Sequence, residues 1–370
     1  MVKIISKQIS TYGSANVLRC SSSTTGRPQF PCLSPSPITI GQVLKIKAQQ
    51  STGIFIDRME PIVLVHGGAG DIPASRVPLK LSGCKKAVND GYKVLAAHGS
   101  ALDAVEAAVR VMEDDPAFNA GYGSVLNLDG EVEMDASVMV GDRLEAGAVT
   151  IVKDVAHPIS LARLIMEKSP HVLLGADGAK RFAINHGVQI LPPGSLVTEQ
   201  AKEALAYFKK HGGDFTEIGC DRKKGEVGTV GAVAIDSNGL LAVATSTGGI
   251  SGKLPGRCSD TSQIGGGSYA DNCYGAVSTT GYGEAILRFC LAHAVVKEIA
   301  SGKTAQRATE DAVEAMTKQF NKTAGAITIS NSGSIGIHFS SKRMAWAYRL
   351  KNEVHFGIER EQHEIEKLQN

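Results

Sequence analysis

Residues 228–247 read G-T-V-G-A-V-A-I-D-S-N-G-L-L-A-V-A-T-S-T, two apolar runs joined by a turn. The runs flank D-S-N-G at 236–239, a pattern that predicts a β-hairpin. Upstream lies D-R-K-K-G-E-V (221–227), the end of a glycine- and charge-rich stretch without apolar period that starts near His211. Gly228 therefore stands directly before Thr229 where a polar loop becomes a buried strand. One reading is ordinary punctuation, since Gly-Thr is common at a strand start. In the other, the Gly228–Thr229 bond is cut and Thr229 becomes a chain terminus. Gly228 has no side chain to obstruct the Thr229 hydroxyl, and it permits a strained backbone.

The flanking sequence supplies the rest of a fold. I-V-L-V at 62–65 runs into H-G-G-A-G, a buried strand followed by a glycine turn. Residues 79–100 have helical periodicity and a glycine stop, and Ser100 with Asp103 forms an N-cap that opens the next helix. Strand patterns follow at 132–140 and 146–152, helices at 158–168 and 198–210. After the hairpin come a strand at 274–281, a long helix at 284–300, one more helix, and a tail with A-I-T-I-S, I-G-I-H-F and A-W-A-Y-R-L. Strands cluster, then helices, then strands again. Apolar strands need cover on a second face, so the expectation is an α+β protein in which helix layers flank stacked sheets, an αββα sandwich.

Composition narrows the function. The 370 residues are 43% apolar and 21% charged, with 41 glycines and a formal charge of +2, which gives no sign of a nucleic-acid or anionic-membrane partner. No apolar run reaches membrane-span length, which predicts a soluble, intracellular chain. Residues 1–56 hold six Lys/Arg, nine serines and no acid. That composition suits an organelle transit peptide or a disordered tail, giving a cytoplasmic protein or, with a transit peptide, a mitochondrial one. Seven scattered cysteines without Cys-x-x-Cys fit neither a disulfide framework nor a zinc site. There is no H-E-x-x-H, no G-x-G-x-x-G, no G-x-x-x-x-G-K-[ST] Walker motif and no G-x-S-x-G elbow. His66 reads as a structural histidine.

What remains is a set of hydroxyls, one acid and one arginine. Thr229, Thr247, Arg257, Asp260 and Thr280 fall within about fifty residues, each at a strand end or beside glycine. A threonine hydroxyl is a poor nucleophile until a base takes its proton. No histidine is close in sequence, but a freed α-amino group, of reference pKa about 7.7 to 8.0, can serve.

These residues occur in motifs. G-T-V-G-A-V-A-I-D, T-S-T-G-G, G-R-x-x-D and S-T-T-G-x-G-E, in that order, resemble the plant-type L-asparaginase/isoaspartyl peptidase family of N-terminal nucleophile hydrolases. P-I-V-L-V-H-G-G-A-G, E-D-D-P-A-F-N-A-G-Y-G-S-V-L-N and V-E-M-D-A-S-V-M carry the resemblance upstream to Met59. It implies an appended segment at 1–58, an α chain at 59–228, a β chain at 229–370 and self-cleavage between Gly228 and Thr229. It also implies hydrolysis of L-asparagine and β-aspartyl dipeptides without a required cofactor. Thr229 would be the nucleophile, Thr247 its orienting partner, and Thr280 with Gly281 the oxyanion hole. Arg257 would grip the substrate α-carboxylate through a bidentate pair, Asp260 would take the α-ammonium, and Asn119 would lie near the nucleophile. Backbone oxygens of Met112, Glu113, Asp115, Phe118, Ala120 and Tyr122 would hold a structural sodium ion, and two cleaved units would pair as a dimer.

The chain departs from the family at G-R-C-S-D-T-S, where the usual pattern is G-R-V-G-D-S-P. If the replaced glycine needs positive φ, Ser259 carries about 1 kcal/mol of strain and the Arg257–Asp260 clamp is misplaced. Ser262 replaces the proline. The departure at Ser259 supports the alternative of a non-catalytic relative acting as a binding or structural protein. Tyr282 stands at a variable position that bears on leaving-group preference.

Overall fold

The hairpin forms the middle of the larger of two sheets. Its strands, Val230–Ile235 (β5) and Leu241–Thr247 (β6), pair antiparallel with Val230 opposite Ser246 and Ile235 opposite Leu241. Asp236 closes the turn: its Oδ1 accepts from the amides of Asn238 and Leu240, and Gly239 takes a φ of +79°. The computed structural model describes residues 59–212 and 228–369. The proposed N-terminal extension and the loop before Gly228 lie outside the described residues.

Upstream are β1 (Ile62–Gly70), α1 (Val77–Ala96), α2 (Ala101–Glu113), β2 (Met134–Val140), β3 (Ala146–Val152), α3 (Pro158–Lys168), β4 (Leu173–Gly175), α4 (Ala176–Asn185) and α5 (Glu199–His211). Downstream are β7 (Ser268–Asp271), β8 (Gly275–Gly281), α6 (Gly283–Phe289), α7 (Leu291–Ala300), α8 (Ala305–Phe320), β9 (Ala324–Ser330), β10 (Ile335–Phe339), β11 (Arg343–Leu350), β12 (Glu353–Gly357) and β13 (Glu364–Lys367). The larger sheet runs β13-β12-β11-β1-β5-β6-β2-β3-β4 and the smaller β10-β9-β8-β7. No helix among the described residues is long and apolar enough to cross a membrane.

Side-chain alternation along a strand explains the packing. Ala232 and Ala234 of β5 join Val88, Val105 and Leu161 of α1, α2 and α3 in one apolar cluster. Their neighbours Val233 and Ile235 join Ile327 and Ile329 of β9 in a second, between the sheets. Val277 and Ala326 of the smaller sheet meet Val295 of α7 and Val313 of α8 in a third. The protein is a mixed α/β fold whose sheets are each buried on both faces.

The Ser100–Asp103 capping box forms as anticipated. The helix expected at 284–300 does not run through: Cys290, with φ of 55°, breaks it into α6 and α7. The amides of Ala292 and His293 turn to the carbonyls of Gly266 and Gly265, so a loop contact outbids helix continuation. The first strand, in turn, is longer than its apolar run. β1 continues through the glycines with a register shift against β11 between His66 and Ala69.

Candidate active site

Thr229 is buried at the entrance to β5. Continuing the β5–β6 register one residue outward sets it opposite Thr247. Gly228 lies on Gly68: a methyl group on Gly228 would sit 2.6 Å from the Gly68 Cα, and one on Gly68 2.5 Å from the Gly228 Cα. Gly68 also has a φ of +106°, so this backbone-on-backbone contact requires glycine twice. Buried Lys80 fixes the approach by donating to the Gly67 carbonyl at 3.0 Å.

The neighbouring end of β8 supplies Thr280 and Gly281. The Ala69 amide donates to Thr280 Oγ1 at 3.1 Å, which leaves the hydroxyl proton free to donate elsewhere. Gly281 has φ of +132°, and a methyl there would strike the Thr323 carbonyl at 2.6 Å. Behind them His66 Nε2 meets Ser278 Oγ at 2.8 Å, and Ser278 meets Thr245 Oγ1 at 2.8 Å. Burial lowers the His66 pKa to about 3; the Thr229 backbone favours the charged ring and Lys80 opposes it. His66 Nδ1 makes no well-formed hydrogen bond. So weak a base cannot activate a hydroxyl near neutral pH, and His66 is a neutral spacer.

Arg257 and Asp260 lie in the loop before β7. Arg257 gives Nε and Nη2 to Glu284 at 2.7 and 3.0 Å. The expected bidentate grip on a ligand therefore finds that fork occupied, and the open edge is Nη1, which is buried without a partner. Burial opposes the guanidinium charge, but the Glu284 pair and the nearby Asp260 outweigh it and hold its pKa above the usual value. Asp260 Oδ2 is likewise buried without a partner. Burial pushes the Asp260 pKa up to about 7, against the pull of Arg257. Gly283 admits both groups, since a methyl there would lie 2.5 Å from Asp260 Oδ1 and 2.8 Å from Arg257 Nη2.

Ser259 corrects the strain argument. Its φ and ψ are −90° and 171°, an extended conformation open to any residue. Its amide donates to Asp135 Oδ2 at 2.8 Å, and its Oγ accepts from the Thr261 amide at 3.2 Å. Ser262 Oγ donates back to the Ser259 carbonyl at 3.2 Å. Asp135 uses its other oxygen for Thr150 Oγ1 and the Ile151 amide, and it sits opposite Thr247 across β2 and β6.

Asn119 is engaged at both ends, donating to the Gly249 carbonyl at 2.7 Å and accepting from the Val125 amide at 3.0 Å. It orients the T-S-T-G-G turn through the backbone. In the 112–123 loop Gly121 packs on the Glu113 carbonyl and Gly123 on that of Phe118. Asp115 and Ala120 carbonyls each accept one amide, from Phe118 and Gly123, keeping a second lone pair. Met112 lies in the last turn of α2, and Tyr122 in the 3-10 turn Gly121–Gly123. Among the described residues no cluster of three His, Cys, Asp or Glu side chains could hold a metal.

Sequence reasoning missed Glu284, Asp135, Gly68 and Lys253. Glu284 stands inside S-T-T-G-x-G-E and Gly68 inside H-G-G-A-G, but spacing alone does not say which loops meet.

Thr229 at a buried strand entrance, Thr247 and Thr280 near neighbouring strand ends, and the unpartnered atoms Arg257 Nη1 and Asp260 Oδ2 make up the candidate site. The family model described as asparaginase matches residues 59–358. A probable isoaspartyl peptidase/L-asparaginase of Drosophila pseudoobscura pseudoobscura is 48% identical over 312 residues, covering 81% of this chain and 96% of that protein. The isoaspartyl peptidase/L-asparaginases of Danio rerio and Homo sapiens are 46% and 47% identical, each over 81% of this chain and 96% and 97% of their own lengths. The chain belongs to the asparaginase family.

Proposed function

We propose that the protein cuts its own chain between Gly228 and Thr229, and that the freed Thr229 hydrolyses L-asparagine and β-aspartyl dipeptides to L-aspartate. The observation that carries this reading is the pair of buried, unpartnered atoms Arg257 Nη1 and Asp260 Oδ2. Leaving buried polar groups unsatisfied costs about 1–3 kcal/mol each, more when charged. A free amino-acid head offers a carboxylate to one and an ammonium to the other. An asparagine inside a protein offers neither. The names of the relatives support the same substrates.

In the mature enzyme the Thr229 α-amine takes the proton of the Thr229 hydroxyl, which attacks the substrate side-chain carbonyl. Thr247, opposite it, holds the hydroxyl in line. The developing oxyanion meets the Thr280 hydroxyl proton and the Gly281 amide, donors worth roughly 3–4 kcal/mol each in other hydrolases. The amine returns its proton to the leaving nitrogen, so ammonia or an amino acid departs. Water then hydrolyses the threonine ester by the same base. Asn119 keeps the turn after Thr247 in place.

The three apolar clusters support an αββα four-layer arrangement with chains 59–228 and 229–370. The 112–122 carbonyls fit a structural sodium ion, and two cleaved units pair as a dimer. The non-catalytic alternative is not favoured, because its one support, strain at Ser259, is absent. Intact mass and N-terminal sequencing test the reading. It expects a fragment beginning at Thr229, lost in Thr229→Ala, and turnover of β-aspartyl-leucine by the processed protein. A chain that stays whole, or a fully cleaved sample without turnover, refutes it.

A further inference from the structure

Lys253 is a buried cation that the mechanism above does not use. Its backbone is pinned: the Leu128 amide donates to its carbonyl at 2.9 Å, and the preceding Gly252 amide donates to Leu126 at 2.8 Å. Nζ donates to the carbonyls of Glu133 and Gly248 at 2.6 and 3.0 Å. No carboxylate lies within ion-pair distance of it among the described residues. Holding a charge in the interior with neutral carbonyls alone is expensive. Burial lowers its pKa and Arg257 lowers it further, while Asp135, Glu133 and Cys258 act from a distance to raise it. Asp135 already spends both oxygens on Ser259, Thr150 and Ile151.

Gly249 shows where the charge is directed. A methyl group there would lie 3.0 Å from Lys253 Nζ and 3.2 Å from Arg257 Nη1. The two buried nitrogens thus converge beside Gly249, whose φ is +79°, both within 3.2 Å of one point next to its Cα. Arg257 Nη1 has no partner there, and Lys253 Nζ keeps a third proton. An anion reaching that side would face both nitrogens.

We propose that Lys253 is a second cation of the substrate α-carboxylate subsite, facing the same carboxylate as Arg257 while holding the Gly248–Gly249 turn. This rests on the substrate reading above. Asp260 and Glu284 face Arg257 from its other sides, so the carboxylate gains most on the Gly249 side.

The test compares two competitive inhibitors of L-asparagine hydrolysis by the processed enzyme. L-Aspartate carries the α-carboxylate; 3-aminopropanoate is the same molecule without it. Lys253→Gln should raise the inhibition constant of L-aspartate about tenfold and leave that of 3-aminopropanoate within about twofold, a modest change for a charge so close. A merely structural role would move both together. Equal changes, or none, overturn the proposal. If Lys253→Gln does not process, the unaltered enzyme labelled with 15Nζ-lysine decides. L-Aspartate should then move a slowly exchanging buried lysine resonance that 3-aminopropanoate leaves in place, and no L-aspartate-specific movement overturns the proposal. Failure of the unaltered enzyme to hydrolyse L-asparagine would instead strike the substrate reading.

Discussion

Raising the acidity of the medium from pH 8 to pH 6 should weaken L-aspartate binding by a calculable factor, because Asp260 must be ionised to hold an ammonium. Burial lifts its pKa to about 7, Arg257 recovering only part of the loss. At pH 8 about nine-tenths of the free enzyme carries the carboxylate, and at pH 6 about one-tenth, so the inhibition constant rises about tenfold. The assay is inhibition of L-asparagine hydrolysis, read as ammonia release, with succinate as the reference. Succinate lacks the ammonium but keeps both carboxylates, which stay largely ionised over this range. The Thr229 amine also titrates nearby, yet it faces the carboxylate both inhibitors share and cancels in their ratio. That ratio should climb at least about tenfold toward acid and should be flat in Asp260→Asn. A flat ratio in the unaltered enzyme would refute the pairing of Asp260 with the ammonium. The same shift has a stability consequence. With its folded pKa above the unfolded value of 3.8, Asp260 binds its proton more tightly in the native state. Its contribution therefore falls as pH rises from 3.8 to about 7 and is constant beyond, an unfavourable term on the order of 4 kcal/mol. Asp260→Asn should melt no lower than the parent at pH 8, while losing activity.

Three other substitutions follow from contacts. Gly68→Ala places a methyl against the Gly228 Cα in a left-handed backbone, about 1–2 kcal/mol of conformational strain plus about 1–3 for overpacking. The uncleaved protein should lose about 2–5 kcal/mol of stability, read as a lower Tm; an unchanged Tm would count against the contact. Glu284→Gln removes the charge of the Arg257 pair, and because Glu284 is 42% exposed the effect is screened. KM for L-asparagine should rise roughly three- to tenfold with kcat within about twofold, and a change in kcat alone would contradict a binding role. Asp135→Asn weakens the charged hydrogen bond to the Ser259 amide, worth about 1.5–3 kcal/mol. It should lower Tm and raise KM together, and an unaltered KM would show that the clamp loop holds its shape without Asp135.

Much of the fold was readable because its signals are local. The Ser100–Asp103 box and the D-S-N-G turn each depend on side chains reaching neighbouring amides. Where sequence reading fell short, a distant partner decided. Nothing within 284–300 announces a break; the break comes from loop carbonyls at Gly265 and Gly266 that attract the amides of Ala292 and His293. β1 likewise runs through H-G-G-A-G because β11 pairs with it beyond the bulge. For the proposed site, the motif resemblance nominated Thr229, Arg257 and Asp260, whereas Glu284, Asp135 and Lys253 come to notice only through contacts with other loops.

The clamp also shows why its own sequence can vary. Cys258 and Ser259 stand between Arg257 and Asp260, and each differs from the residue in the family pattern that the chain resembles. The Ser259 side chain adds a bond to the Thr261 amide but does not make the link to Asp135. What fixes Ser259 is its amide, bonded to Asp135, and any residue except proline carries that donor. Arg257 is set by Glu284 on α6, and Asp260 by the space that Gly283 leaves on the same helix. A backbone in the extended region takes serine as readily as glycine, so serine at 259 costs no backbone strain. The constraint falls instead on positions where a Cβ would collide: Gly68 against Gly228, Gly281 against Thr323, and Gly283 against Asp260. Tolerance at 259 and intolerance at these three have one cause, the closeness of backbone to backbone and of backbone to charge around Thr229.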